Sequence, residues 1–184
     1  MDLNDLLYGF LILLPVLGGT VCMALPSPRA ILAAACTTVC ASALVALAVA
    51  VRVFAGGPAF AVSGWFYVDA LSAYHLCVMM MVFVASSVYA WGYFLAETDA
   101  GHVRRRGIRQ FAGLWCGALA AMTLVLISNN LGIMWVGIEA TTLLTAFLIC
   151  IPVRPVSLEA MWKYLIICSI GVAFAFLGTL MVAA

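Results

Sequence analysis

Three ionisable side chains, His75, Glu139 and Lys163, fall inside long apolar runs, and Glu139 is placed most deeply of the three. An ionisable group in a bilayer is costly unless it is paired, hydrated or neutral, so such residues mark candidate ion pathways. Glu139 lies about 9 residues from one end of its run and about 12 from the other, which leaves roughly 13 Å of helix to either surface. A glutamate cannot snorkel that far. Spacing by alternate fours and threes puts Ser128, Gly132, Trp135, Glu139, Thr142 and Ala146 on one stripe, small or hydrogen-bonding apart from Trp135. That stripe is expected to face the bundle interior or a hydrated cavity. Burial raises a carboxyl group's proton affinity and a nearby cation lowers it, so a glutamate there is suited to binding and releasing protons near neutral pH. The bland alternative is a neutral glutamic acid acting as interhelical glue.

Lys163 follows Glu159 by four residues. That spacing suits a surface ion pair with the lysine snorkelling to the interface, or a cationic relay about 12 Å in depth from Glu139. His75 sits one to two turns into its run, where an interfacial histidine competes with a proton relay. No other chemistry is indicated. Cys22, Cys36, Cys40, Cys77, Cys116, Cys150 and Cys168 all lie in apolar runs without metal-ligand spacing and read as small hydrophobes. No dinucleotide-binding glycine motif and no nucleophile with a base is evident, so no cofactor, metal or catalysis by this chain alone is expected.

The elements that hold these residues follow from composition. The 184 residues are 67% apolar and 8% charged, with a net charge of +1 and a mean hydropathy of +1.23. Such a chain leaves no room for a soluble catalytic domain, and disorder, nucleic-acid binding and a secreted disulfide scaffold are all poor fits. Apolar runs bounded by charge or Pro/Gly clusters predict an all-α membrane domain with six spans, at about 3–25, 30–54, 70–95, 111–127, 130–151 and 160–182. The first is not a cleavable signal: Asp2 and Asp5 stand where a signal carries basic residues, and Pro26 to Arg29 turn into the next span. Asp69 is placed to cap the third helix. The aromatic segment 59–67 reads as a short extended or hairpin piece at the membrane surface.

Arg29, then Arg104, Arg105, Arg106 and Arg109, then Arg154 fall in alternate loops, with Lys163 close by, against Arg52 on the other side. The positive-inside rule puts those loops in the cytoplasm and both termini outside, in a prokaryotic cell membrane. The arginines of the third loop serve best as a topology anchor. Gly113, Gly117 and Ala121, and likewise Gly171, Ala175 and Gly178, form thin faces on which helices can approach closely.

Four strings carry a family resemblance: Trp65-Phe66-Tyr67-Val68-Asp69-Ala70-Leu71-Ser72-Ala73-Tyr74, Ser128-Asn129-Asn130-Leu131-Gly132, Trp135-Val136-Gly137-Ile138-Glu139-Ala140-Thr141-Thr142-Leu143, and Glu159-Ala160-Met161-Trp162-Lys163-Tyr164-Leu165 with Gly171. Over residues 60–184 the chain resembles the antiporter-like membrane subunits shared by respiratory complex I, Mrp-type antiporters and membrane-bound [NiFe]-hydrogenases, most of all the F subunit of hydrogenase-4 and its formate hydrogenlyase relatives. The resemblance implies a proton-translocating module with no redox centre of its own. It implies that Glu139 is the buried carboxylate of the proton path and that Lys163 belongs to a polar stretch opening the next helix. It carries no role to His75. It further implies partners among the membrane subunits of a respiratory or hydrogenase complex. Family members have about fourteen helices in two inverted repeats, with the glutamate working against a lysine on a broken seventh helix. The chain covers only the first six, which implies a fragment, a split or shortened subunit, or a remnant. A stand-alone cation/proton antiporter and a structural scaffold without transport are the competing readings.

Overall fold

The computed structural model describes residues 3–101, 103–151 and 153–183. Within them the chain forms six helices, α1 Leu3–Ala24, α2 Pro28–Gly56, α3 Ala70–Asp99, α4 Arg105–Ile127, α5 Leu131–Ile149 and α6 Pro155–Ala183, and one hairpin, β1 Ala59–Ala61 with β2 Phe66–Val68. All six helices are long and apolar enough to cross a bilayer. The chain is an all-α, multi-pass membrane bundle, as its composition requires.

The helix ends have local causes. Ser27 caps α2, accepting from the Ala30 N–H at 3.2 Å, and Pro28 occupies the first helical position, where its missing N–H costs nothing. Asp69 caps α3 as expected, accepting from the Ser72 N–H at 2.7 Å. Asn130 caps α5, accepting from the N–H groups of Gly132 and Ile133. The helices outrun some of the apolar runs. α4 starts at Arg105 rather than near 111, so Arg105, Arg106 and Arg109 ride on its first turns instead of in a loop.

Two of those arginines bond the end of α1. Arg109 donates through Nε and Nη2 to the Leu25 carbonyl at 3.2 and 2.6 Å, and Arg105 donates through Nη1 to the Pro26 carbonyl at 2.8 Å. The carbonyls that follow α1 have no partner within that helix, and the guanidinium groups satisfy them with a charge of the favourable sign.

At the opposite end, the hairpin pairs Ala59 with Val68 and Ala61 with Phe66. Its turn carries three consecutive positive φ angles, at Val62, Ser63 and Gly64, and is held from outside: Asp5 Oδ1 accepts from the Val62 N–H at 2.8 Å, while Asn129 donates from its backbone to Trp65 O and from its side chain to Gly64 O. The hairpin thus straps α1 to the α4–α5 turn.

α4 is the most enclosed helix, in contact with α1, α2, α3 and α5. Its thin face is used as the sequence predicts. Gly19 of α1 packs on Gly113 and Cys116, Leu144 of α5 lies over Gly117, and Gly137 of α5 rests on Ala121 and Val125. Lipid tails are as apolar as leucine, so close backbone approach of this kind supplies the packing energy in a bilayer. The second thin face behaves otherwise. A Cβ built on Gly171 or Gly178 meets nothing within 4 Å, and Ala175 is exposed. α6 lies along α5 and leaves that face uncovered among the described residues.

Candidate functional site

Glu139 sits in the ninth position of the 19-residue α5, roughly 12 Å of helix from Leu131 and 15 Å from Ile149. Depth is therefore as the sequence indicated. Its facing is different from a simple interior stripe. Gly137 packs on Ala121 and Val125 of α4, whereas Glu139, half-buried, lines a groove of about 340 Å³ between α5 and α6, with Trp135 and Val136 below it and Ser169, Val172, Ala173 and Phe176 opposite; Ala146, close to the same helix face, is buried in a cluster with Met161 of α6.

The groove's polar equipment is sparse. Glu139 makes no hydrogen bond or ion pair with any described residue. The indole Nε1 of Trp135 is buried and without a partner, its ring edge-on to Phe176 at 5.2 Å. A buried N–H left unpaired is uncommon and is ordinarily met by water or a neighbouring group. Ser169 faces the groove from α6. It is a residue that sequence reasoning passed over, although a lone serine in so apolar a run is visible in the chain.

The threonines beside Glu139 are committed to the backbone. Thr141 donates to Gly137 O at 2.9 Å, and Thr142 donates to Ile138 O at 3.1 Å. Thr145 bonds the Thr141 carbonyl and meets the Tyr164 hydroxyl at 3.0 Å, the polar link between α5 and α6. Thr142 accordingly has lone pairs to offer but no proton to spare. Ser128 is distant from the groove. It closes the α4–α5 turn, donating to Asn130 O at 2.9 Å and accepting from Asn130 N–H.

Lys163 pairs with Glu159, Nζ to Oε1 at 2.5 Å, with 70% and 64% of the two side chains exposed. The contacts Thr145–Tyr164 and Trp135–Phe176 fix the antiparallel register of α5 and α6. In that register Lys163 stands level with Thr145 and Ala146, ~10 Å along the axis from Glu139. Structure thus keeps the two apart and gives the lysine the surface partner that its spacing offered. His75 is exposed on α3, its Nδ1 bonded to Leu71 O at 2.9 Å, and does not meet the groove. No cluster of His, Cys, Asp and Glu able to hold a metal occurs among the described residues.

Fold and site together define a polytopic helical membrane protein with one carboxylate at mid-span, facing a lateral groove. Over 115 residues the chain is 34% identical to a hydrogenase-4 component F homolog of Methylacidiphilum infernorum (isolate V4), a match covering 62% of this chain and 24% of that protein. The chain spans about a quarter of the length of that curated relative. No family model matches it.

Proposed function

We propose that this chain belongs to the antiporter-like membrane subunits and serves as a proton-translocating module of a respiratory oxidoreductase of the hydrogenase-4/formate hydrogenlyase or NADH:quinone oxidoreductase type. The observation that carries the proposal is Glu139 at mid-span of α5, inside the string Trp135 to Leu143, in a chain similar to a hydrogenase-4 component F homolog. Glu139 takes up and releases the proton. The groove it lines supplies space for water, and Trp135 Nε1 and Ser169 Oγ are the neighbouring groups able to hold that water. Thr142, as an acceptor, orients it. Lys163, ~10 Å toward the arginine-rich end, acts through its field and through intervening water rather than by direct contact. Other membrane subunits cover the open side of α6, and the arginine-rich end faces the cytoplasm of a prokaryotic cell.

Redox turnover in inverted membrane vesicles, followed with a pH-sensitive dye, tests this reading. Replacement of Glu139 by Gln is expected to lower proton uptake to below about a tenth of the unmodified rate. An unchanged rate overturns the assignment and leaves a structural role for the chain.

A further inference from the structure

We propose that the arginine-rich end of the bundle carries a binding site for one anionic glycerophospholipid, of the phosphatidylglycerol or cardiolipin class. The first observation is a groove of about 580 Å³ between α1, α4 and α5, mostly apolar and floored by Gly19, Gly113 and Gly117. Gly19 packs on Gly113, Met23 lies over Gly113 and Leu144 over Gly117, so the groove runs beside the close contacts these glycines make rather than over bare backbone. The second is its continuation. A hollow of about 270 Å³ shares Gln110, Cys150, Ile151 and Val153 with the groove and adds Arg104 and Arg106 at its mouth. Depth matches a lipid tail: Arg106 and Gly117 are eleven residues apart on α4, ~16 Å along the axis, close to the ~15 Å half-thickness of a hydrocarbon core. A headgroup held at Arg106 therefore lays an acyl chain along the groove to about mid-membrane.

Charge selects the headgroup. Of the four arginines at residues 104–109, Arg105 and Arg109 are consumed by the Pro26 and Leu25 carbonyls. The guanidinium groups of Arg104 and Arg106 have neither a carboxylate nor a hydrogen-bond partner among the described residues, both residues are exposed, and the first turn of α4 contains no acidic residue. Basic pockets between membrane helices favour anionic lipid headgroups in this way, and a zwitterionic headgroup brings its own cation and gains less.

The test is native mass spectrometry of the purified full chain in detergent, titrated with phosphatidylglycerol, cardiolipin and phosphatidylcholine. Expected is retention of one anionic lipid, with phosphatidylcholine retained at least about tenfold more weakly. The double variant Arg104→Gln/Arg106→Gln, at exposed positions outside the packed core, is expected to lose about thirtyfold in affinity for phosphatidylglycerol. Leu114→Trp, which fills the groove while leaving both arginines, is expected to abolish retention of every lipid at this site. Equal retention of phosphatidylcholine and phosphatidylglycerol overturns the proposal, as does a double variant that binds unchanged. Absence of any retained lipid, the groove being closed by another protein segment, overturns it too.

Discussion

Single residues set the chemistry of the bundle and also its response to pH. Asp69, partly exposed at the start of α3, accepts hydrogen bonds from the backbone and side chain of Ser72, and those donors hold its carboxyl below the usual carboxylate range. A group whose pKa is depressed by folding contributes stability above its unfolded pKa, and that contribution is lost as pH falls through the folded value. The wild-type thermal midpoint is therefore expected to fall as pH drops below about 4. Asp69→Asn, which keeps the cap but cannot titrate, should flatten that part of the profile. An identical profile in the variant would show that the cap does not contribute. Arg109 makes a matching prediction at the other end. Two of its donors meet the Leu25 carbonyl, so Arg109→Leu is expected to destabilise the bundle by about 1.5–3 kcal/mol in a denaturant titration in detergent. Arg106→Leu, with no such partner, should change stability by less than about 0.5 kcal/mol.

At the scale of elements, six helices and the surface hairpin were legible in the sequence because apolar runs, prolines and caps are local features. Asp69 and the glycine face 113–117–121 were legible for the same reason. Three things were not. The carbonyls of Leu25 and Pro26 find Arg109 and Arg105 across a long stretch of chain, and no local spacing announces that pairing. Glu139 could be placed in depth by counting residues, but its facing toward α6 depends on how Gly137 seats against Val125. The register that sets Lys163 ~10 Å along the axis from Glu139 rests on the contact of Thr145 with Tyr164, which no local spacing announces. Glycine substitutions measure the packing directly. A Cβ on Gly137 would fall 2.7 Å from Cγ2 of Val125, a stiff β-branched side chain, whereas one on Gly171 meets open space. Gly137→Ala is expected to cost about 1–3 kcal/mol by overpacking. Gly171→Ala should be neutral or stabilising by up to about 1 kcal/mol through helix propensity. Reversal of that order in thermal melts would contradict the α4–α5 packing described above.

For the molecule as a whole, the telling feature is asymmetry. α1 to α5 are tied together through α4 and by the hairpin, while α6 lies along α5 with large apolar side chains turned outward, Phe174 71% exposed. A module working inside a larger complex predicts protein on that side. A photo-crosslinker at position 174 in native membranes is expected to give a protein adduct, and lipid adducts alone would speak for a bundle that works without a neighbour. The most direct measurement is the number of protons translocated per electron pair by the assembled complex carrying Glu139→Gln, with subunit content checked by mass spectrometry. Proton carriage by Glu139 predicts intact assembly and electron transfer with a reduced proton ratio; an unchanged ratio in the fully assembled variant would contradict it.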